Sequence, residues 1–260
     1  MKPDYKNWMP KGMVYGFAGA AAAFTVIAMV ARSLTDGTAE AVLTFIFVVP
    51  ALLFCGLTVW SVLMYRAFSY NGKRQMSRQI IEGIADYVKI PNGGRGLDVG
   101  CGSGALAIAC AKRNPYAAVV GIDRWGREYA SYNMLLCENN ARAEGVSNVS
   151  FAKGDATALD FPDESFDAVM SNYVYHNILS NDRQSILLET LRVLKKGGTF
   201  AIHDIFSKSK YGDMQVFLKK LREMGYENAE LIDTTNGMFI TKREAGWMAL
   251  SGSALLVGKK

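Results

Sequence analysis

The sequence predicts an α/β protein, a doubly wound and mostly parallel sheet preceded by two transmembrane α-helices. Three observations carry this reading. The first third holds two long uncharged apolar runs, the remainder alternates short apolar runs with helical stretches, and a glycine-rich turn closes the first predicted strand. Of 260 residues, 50% are apolar and 20% charged, with a mean hydropathy of +0.07, which excludes a disordered chain. The formal charge of +5 hints at nucleic acid until it is located. Residues 1–78 hold 8 Lys/Arg against 3 Asp/Glu, whereas residues 79–260 hold 21 of each. The surplus flanks the apolar runs, as membrane-flanking charge does, and the larger part offers no basic surface to nucleic acid. The four cysteines form no CxxC pair and no Cys/His cluster of zinc spacing, and Cys55 lies inside an apolar run. A reducing, cytosolic setting without a metal is the expectation.

Residues 13–31 (MVYGFAGAAAAFTVIAMVA) and 41–65 (AVLTFIFVVPALLFCGLTVWSVLMY) carry no charge. Runs of about 20 residues, rising about 1.5 Å each, cross a hydrocarbon core of about 30 Å. Residues 1–66 therefore read as a membrane hairpin, and 67–90 as a basic connector leading into an amphipathic helix. The first run is long for the apolar region of a cleaved leader. Lys2, Lys6 and Lys11 precede the first span, and Arg66, Lys73, Arg74 and Arg78 follow the second. The loop between them, RSLTDGTAE, sets one Arg against Asp36 and Glu40. The positive-inside rule then places both termini and the larger domain on the cytoplasmic side of an integral membrane protein. Trp8, Trp60, Tyr65 and Phe68 fall near the span ends, where aromatic rings anchor. Gly12, Gly16 and Ala20 repeat every four residues, with Gly19 and Ala23 on a neighbouring line. Such a stripe packs either the hairpin against itself or a second copy of the chain, giving a homo-oligomer. Pro50 falls mid-span and is expected to kink the second helix.

With Ser77 as N-cap, Ile80, Ile81, Ile84 and Val88 recur at helical spacing. Residues 91–260 form the next domain. Apolar runs at 96–99, 118–122, 149–152, 167–171, 199–203, 229–232 and 253–257 read as strands, and 104–113, 126–144, 182–195 and 212–224 as helices. Gly197-Gly198 and Gly225 stand where glycines end helices. The alternation calls for parallel strands with helices on both faces. The last two strands, joined by a loop with no good helix in it, are expected to pair antiparallel.

The strongest local signal is Asp98-Val99-Gly100-Cys101-Gly102-Ser103-Gly104, at the end of a strand and the start of a helix. Gly100-x-Gly102-x-x-Ala105 also fits a dinucleotide fingerprint. A pyrophosphate, however, is opposed by an acid two residues before the first glycine, whereas an ammonium group would welcome Asp98. Asp123 ends the second strand, where a carboxylate can accept from both hydroxyls of a ribose. Asp155 follows the third, where it can accept from an exocyclic adenine amine. Singly, these read as a helix cap, a turn residue and a solvated loop acid. Together, with no Lys or Arg in the glycine loop, they describe an amino-acid nucleoside, and S-adenosylmethionine fits, with S-adenosylhomocysteine as its product. The candidate cofactor residues are Asp98, Gly100, Cys101, Gly102, Gly104, Asp123, Arg124, Asp155, Ala156 and Asn172.

Over about residues 77–260 the sequence resembles the class I S-adenosylmethionine-dependent methyltransferases; the hairpin lies outside the resemblance. Asp98 through Gly104 match the family's first motif, Asp123 its ribose-binding acid and Asp155 its adenine-side acid. The run 159–167 (LDFPDESFD) looks like the approach to the fourth strand, and 194–198 (LKKGG) like the turn before the fifth. The resemblance implies a Rossmann-like sheet of seven strands ordered 3-2-1-4-5-7-6, the last-numbered strand antiparallel.

Methyl transfer from a sulfonium needs donor and acceptor held in line, and a base only where the acceptor must lose a proton. The catalytic candidates are Tyr173 and His176, just past the fourth strand. His176 is the candidate general base, and Tyr173 or Tyr175 could face the sulfonium through its ring. Each could instead pack, and packing is the stronger reading for His203. Trp125 either covers the adenine or anchors a helix start. Loops 204–212 and 234–250 leave the same sheet edge. The second, with Met238, Phe239, Ile240, Trp247 and Met248 beside Lys242 and Arg243, is either a lid for a lipophilic acceptor or a hairpin burying its own apolar residues. The expected function is a membrane-anchored methyltransferase acting on a lipid or lipophilic small molecule. The alternatives are the same enzyme on a soluble acceptor, with the hairpin serving location or oligomerisation, and a membrane sensor that binds the cofactor without catalysis. Ser171-Asn172-Tyr173-Val174 lacks the Asn-Pro-Pro-Tyr type of motif of nucleic-acid and protein methyltransferases.

Overall fold

The computed structural model describes residues 2–126 and 131–260. Its chain separates into two units, Asn7–Ser77, and Met1–Lys6 together with Arg78–Lys260.

In the first unit α1 (Lys11–Leu34) and α2 (Gly37–Phe68) are joined by Thr35 and Asp36. Both helices are long and apolar enough to cross a membrane. They meet through aromatic rings, with Phe24 stacked on Phe54 at 5.7 Å and Phe17 6.2 Å from Phe54. Ala21, Ala28 and Ala51 are buried, and their small side chains permit the approach. The outward faces are apolar as well. Tyr15 is 71% exposed and Phe45 69%, the inverse of an amphipathic helix in water. Hydroxyls turn back onto their own helix: Thr25 Oγ1 donates to Ala21 O at 2.8 Å and Thr58 Oγ1 to Phe54 O at 2.7 Å. That is how a polar group is satisfied where no water is at hand. A side chain added at Gly12, Gly16 or Gly19 would meet nothing within 4 Å, so these glycines do not pack the hairpin against itself and their face stays open. Pro50 lies inside α2 without ending it.

Helix α3 (Met76–Asp86) begins one residue before Ser77. Ser77 is thus inside the helix rather than its N-cap, and its hydroxyl donates to Phe68 O. Beyond it run β1 (Arg95–Val99), α4 (Ala105–Arg113), β2 (Ala118–Asp123), α5 (Met134–Ala143), β3 (Val149–Lys153) and β4 (Phe166–Asn172). There follow α6 (Arg183–Arg192), β5 (Leu194–Ile205), α7 (Lys208–Tyr211), α8 (Met214–Glu223), β6 (Glu227–Asp233), α9 (Lys242–Trp247) and β7 (Ser253–Lys259). The seven strands are ordered β3-β2-β1-β4-β5-β7-β6. All pairs are parallel except those of β7, which runs antiparallel to both β5 and β6. Phe166, Val169, Ile202 and Leu256 from the sheet pack with Leu187 and Leu191 of α6 and Phe217 and Leu221 of α8. The direction of winding reverses between β1 and β4, and a doubly wound sheet opens its ligand crevice at the carboxyl ends beside such a reversal.

Four expectations are corrected. Gly197-Gly198 do not cap a helix: α6 stops at Arg192, and both glycines lie inside β5, where the pairing shifts register between Phe166 and Ala168. The helix expected over 126–144 is α5, starting only at Met134 with Asn133 accepting from Leu136 N; residues 127–130 lie outside the described part. The loop 234–250 does carry a short helix, α9, because Thr241 and Glu244 close a capping box at its start. Ser77 is the fourth. Gly225 does end α8 as expected, left-handed at φ 93°, with Tyr226 N donating back to Leu221 O at 3.0 Å.

Candidate functional site

The glycine loop connects β1 to α4 through three left-handed glycines, Gly100 (φ 75°), Gly102 (φ 55°) and Gly104 (φ 81°). Their reasons differ. A Cβ on Gly100 would lie 2.3 Å from Val174, and one on Gly104 2.9 Å from the Phe151 ring, so these two permit close packing. A Cβ on Gly102 would meet nothing, so its face is open. The loop is hung from β2, with Gly100 N and Cys101 N both donating to Ile122 O at 2.8 and 2.9 Å. The Gly104 N-cap has no side chain to cap α4, and Asp98 supplies the missing acceptor: its Oδ2 accepts from Ala107 N at 2.9 Å. Asp98 is buried, and burial pushes its carboxyl up to about 8; the Ala107 bond opposes this and the nearby Asp123 adds to it. Oδ2 thus caps the helix, while Oδ1 makes no protein hydrogen bond among the described residues.

Asp123 ties the first two loops together. Its Oδ2 accepts from Gly102 N at 2.9 Å and its Oδ1 from Trp125 N at 2.8 Å. Gly102 O in turn accepts from the Trp125 indole at 3.0 Å and from Cys137 Sγ at 3.2 Å. The peptide of Gly102 is therefore held on both sides. Trp125 sits at φ 45°, a left-handed backbone that is uncommon outside glycine and clusters at functional sites. Its indole is fastened to the glycine loop through Gly102 O, and the residues that would follow it in a helix, 127–130, lie outside the described part.

Asp155 occupies the next strand end. It accepts from Thr157 N at 2.8 Å and Thr157 Oγ1 at 2.7 Å, and the backbone bond above all holds its carboxyl below the usual range. Arg124 Nη1 lies 4.0 Å from its Oδ2. With Gly126, Lys153 and Gly154 these two line a groove of about 600 Å³. Ala156 packs against the hydrophobic core. The structure thus gathers Asp98, Asp123 and the glycine loop at one place and sets Asp155 with Arg124 in the groove at the adjoining strand ends. An open glycine face, a carboxylate gripping the loop and no cation within the loop suit a cationic amino-acid nucleoside.

The other half of the crevice edge is built from side chains. His176 Nδ1 is 2.5 Å from Oδ1 of the fully buried Asp204, and its Nε2 has no protein partner among the described residues. Asp204 also accepts from Tyr175 N at 2.8 Å and Ile205 N at 2.6 Å, so it is rigidly placed. Tyr173, left-handed at φ 55°, sets its ring 5.8 Å from that of His176 and pairs its hydroxyl with Ser253 Oγ at 2.8 Å. Burial holds that phenol well above its usual range. Tyr175 is fully buried with its hydroxyl on Thr190, so it cannot face a ligand. Asn172 pairs with Nδ1 of His203, whose Nε2 pairs with Thr234. Burial pushes His203 down to about 3, which makes it a neutral packing residue. Of the two readings of 234–250, burial favours the hairpin over the lid: Phe239, Ile240 and Met248 are buried, Phe239 against His203 at 5.5 Å, while Met238 and Trp247 reach the surface. The residues missed by sequence reasoning are Cys137, Asn140 and the pairing role of Asp204. Asp204 stood in plain view beside His203, but strand alternation alone could not pair it with His176.

Comparison with known proteins agrees with this geometry. Residues 97–202 match the methyltransferase domain family. The sterol 24-C-methyltransferase of Aspergillus fumigatus is 30% identical over 176 residues, 66% of this chain and 44% of that protein. The demethylmenaquinone methyltransferase of Geobacillus kaustophilus is 33% identical over 138 residues, 52% of this chain and 56% of that protein. The chain thus spans about half the length of these curated relatives. Among solved structures, geranyl diphosphate methyltransferase in complex with GPP and sinefungin superposes with a TM-score of 0.57 at 15% identity, covering 75% of this chain and 82% of that one. The sheet-bearing unit has the class I S-adenosylmethionine-dependent methyltransferase fold.

Proposed function

We propose that this chain, with its methyltransferase domain, is a membrane-anchored enzyme that transfers a methyl group from S-adenosylmethionine to a lipid or other lipophilic small molecule. The observation that carries this reading is the union of that domain, in one polypeptide, with two helices presenting apolar side chains outward. A hairpin in the bilayer concentrates the enzyme where a lipophilic acceptor is dissolved. The names of two relatives, for a sterol and for demethylmenaquinone, support that acceptor class. The basic flanks of both helices favour a cytoplasmic catalytic domain.

When bound, S-adenosylmethionine supplies a methyl group on a sulfonium. Asp98, Asp123 and Asp155, with the backbone of Gly100, Cys101, Gly102 and Gly104, are the residues that would hold it. Asp204 accepts from His176 Nδ1–H, which selects that tautomer and leaves Nε2 ready to take a proton where the acceptor must lose one. The test is label transfer by the full chain in lipid nanodiscs, from methyl-labelled S-adenosylmethionine to a cell lipid extract and to an aqueous metabolite extract. Label in the organic phase is the expected result. Burial of Phe239 and Ile240 favours a second reading, a soluble acceptor, and label confined to the aqueous phase would establish it instead. Cofactor binding without any transfer would favour a sensor.

A further inference from the structure

Residues 2–6 are a short polar segment outside any helix or strand. They are docked on α5. Asn140, 2% exposed, uses its whole amide: Oδ1 accepts from Asp4 N at 2.7 Å, and Nδ2 donates to Asp4 O and to Ser103 O, both at 3.0 Å. The side chain thus pairs with both backbone groups of Asp4 as a neighbouring strand would, and its remaining hydrogen reaches the glycine loop. Cys137, one helical turn earlier on the same face, holds the preceding peptide through Gly102 O. Tyr5, buried, donates its hydroxyl to Glu144 at 3.1 Å, and Glu144 also pairs with Lys112 of α4. The arm then runs through Asn7–Pro10 into α1.

We infer that this N-terminal arm completes the cofactor site at one remove, with Asn140 as a positioning residue that transmits docking of the arm to the glycine loop. The ligand affected is the amino-acid nucleoside, so the inference rests on the S-adenosylmethionine reading. Undocking the arm leaves the buried Asn140 Oδ1 without a donor, and an amide seeking another partner releases Ser103 O. The segment leading into the first apolar helix is thereby coupled to cofactor affinity through one side chain.

The test measures S-adenosylhomocysteine binding by calorimetry with the full chain in nanodiscs. Asp4→Pro removes the N–H that Asn140 accepts without touching the domain core. It is expected to weaken binding about tenfold, the size of one buried hydrogen bond, and to raise KM for S-adenosylmethionine with kcat at saturation unchanged. Asn140→Ala is expected to weaken binding at least as much, and Lys219→Ala, on the exposed face of α8, to leave it unchanged. Wild-type affinity in Asp4→Pro overturns the inference, even if Asn140→Ala binds weakly, because Asn140 would then support the loop without the arm. A drop in melting temperature with affinity intact overturns it too. If the wild-type chain binds no S-adenosylhomocysteine, the cofactor reading itself falls.

Discussion

The two halves of the sheet's carboxyl edge are built on different principles. At β1, β2 and β3 the crevice is lined by backbone: left-handed glycines and peptide groups held by Asp123, Cys137, Asn140 and the Trp125 indole. At β4, β5 and β7 it is lined by side chains, His176 fixed by Asp204 and Tyr173 fixed by Ser253. A backbone cradle recognises one invariant ligand and tolerates little change in the residues that shape it. A side-chain edge can be re-equipped for a different acceptor without disturbing the strands beneath. Under the proposed function, the first half would bind the cofactor and the second would meet the acceptor.

The comparison breaks most visibly at His176. His176→Ala is expected to lower kcat about 100-fold or more on an acceptor that loses a proton, while S-adenosylhomocysteine affinity stays at the wild-type value. Unchanged kcat would reduce this half to packing. The reverse pattern is expected from Gly100→Ala. Its new Cβ meets Val174 at 2.3 Å from a left-handed backbone, so binding should weaken about 10- to 100-fold and the melting temperature fall by several degrees. Calorimetry and thermal melts on the two variants therefore separate the halves.

The smallest effect is in pH dependence, where the halves carry opposite signs. Asp98 has its carboxyl raised from 3.8 to about 8, so over that window the folded chain keeps a proton that the unfolded chain loses. Its contribution to stability falls as pH rises from about 4 to about 8. His203 is lowered from 6.5 to about 3, so the unfolded chain takes up a proton that the folded one refuses. Its contribution is lost as pH falls through that window. Melting curves should show Asp98→Asn gaining a few degrees on wild type toward pH 8, and His203→Gln gaining its share toward acid pH.

What could be read from the chain divides along the same line. The Asp98–Gly104 turn was legible because a strand end, left-handed glycines and a helix start are set by residues next to one another. The apolar helices were legible because length and missing charge decide them, though open space around Gly12, Gly16 and Gly19 had to be seen to exclude a role inside the hairpin. The pattern Met238-Phe239-Ile240 could not say which side chains turn inward; Phe239 and Ile240 do, and His203 and the bare face of Gly83 receive the Phe239 ring. Gly197-Gly198 looked like a helix end and proved to lie in a strand whose register shifts there.

By itself the sequence determined the two apolar spans, the strand-turn-helix at the glycine loop and the acids at successive strand ends, since each depends on neighbours in the chain or on the length of an apolar run. Only the tertiary structure decided that Asp98 caps α4, that His176 meets Asp204, and that Asn140 joins Ser103 to an arm 136 residues distant. Those bonds exist because packing closes the gaps between elements, and no local pattern records which polar groups are left facing one another when it does.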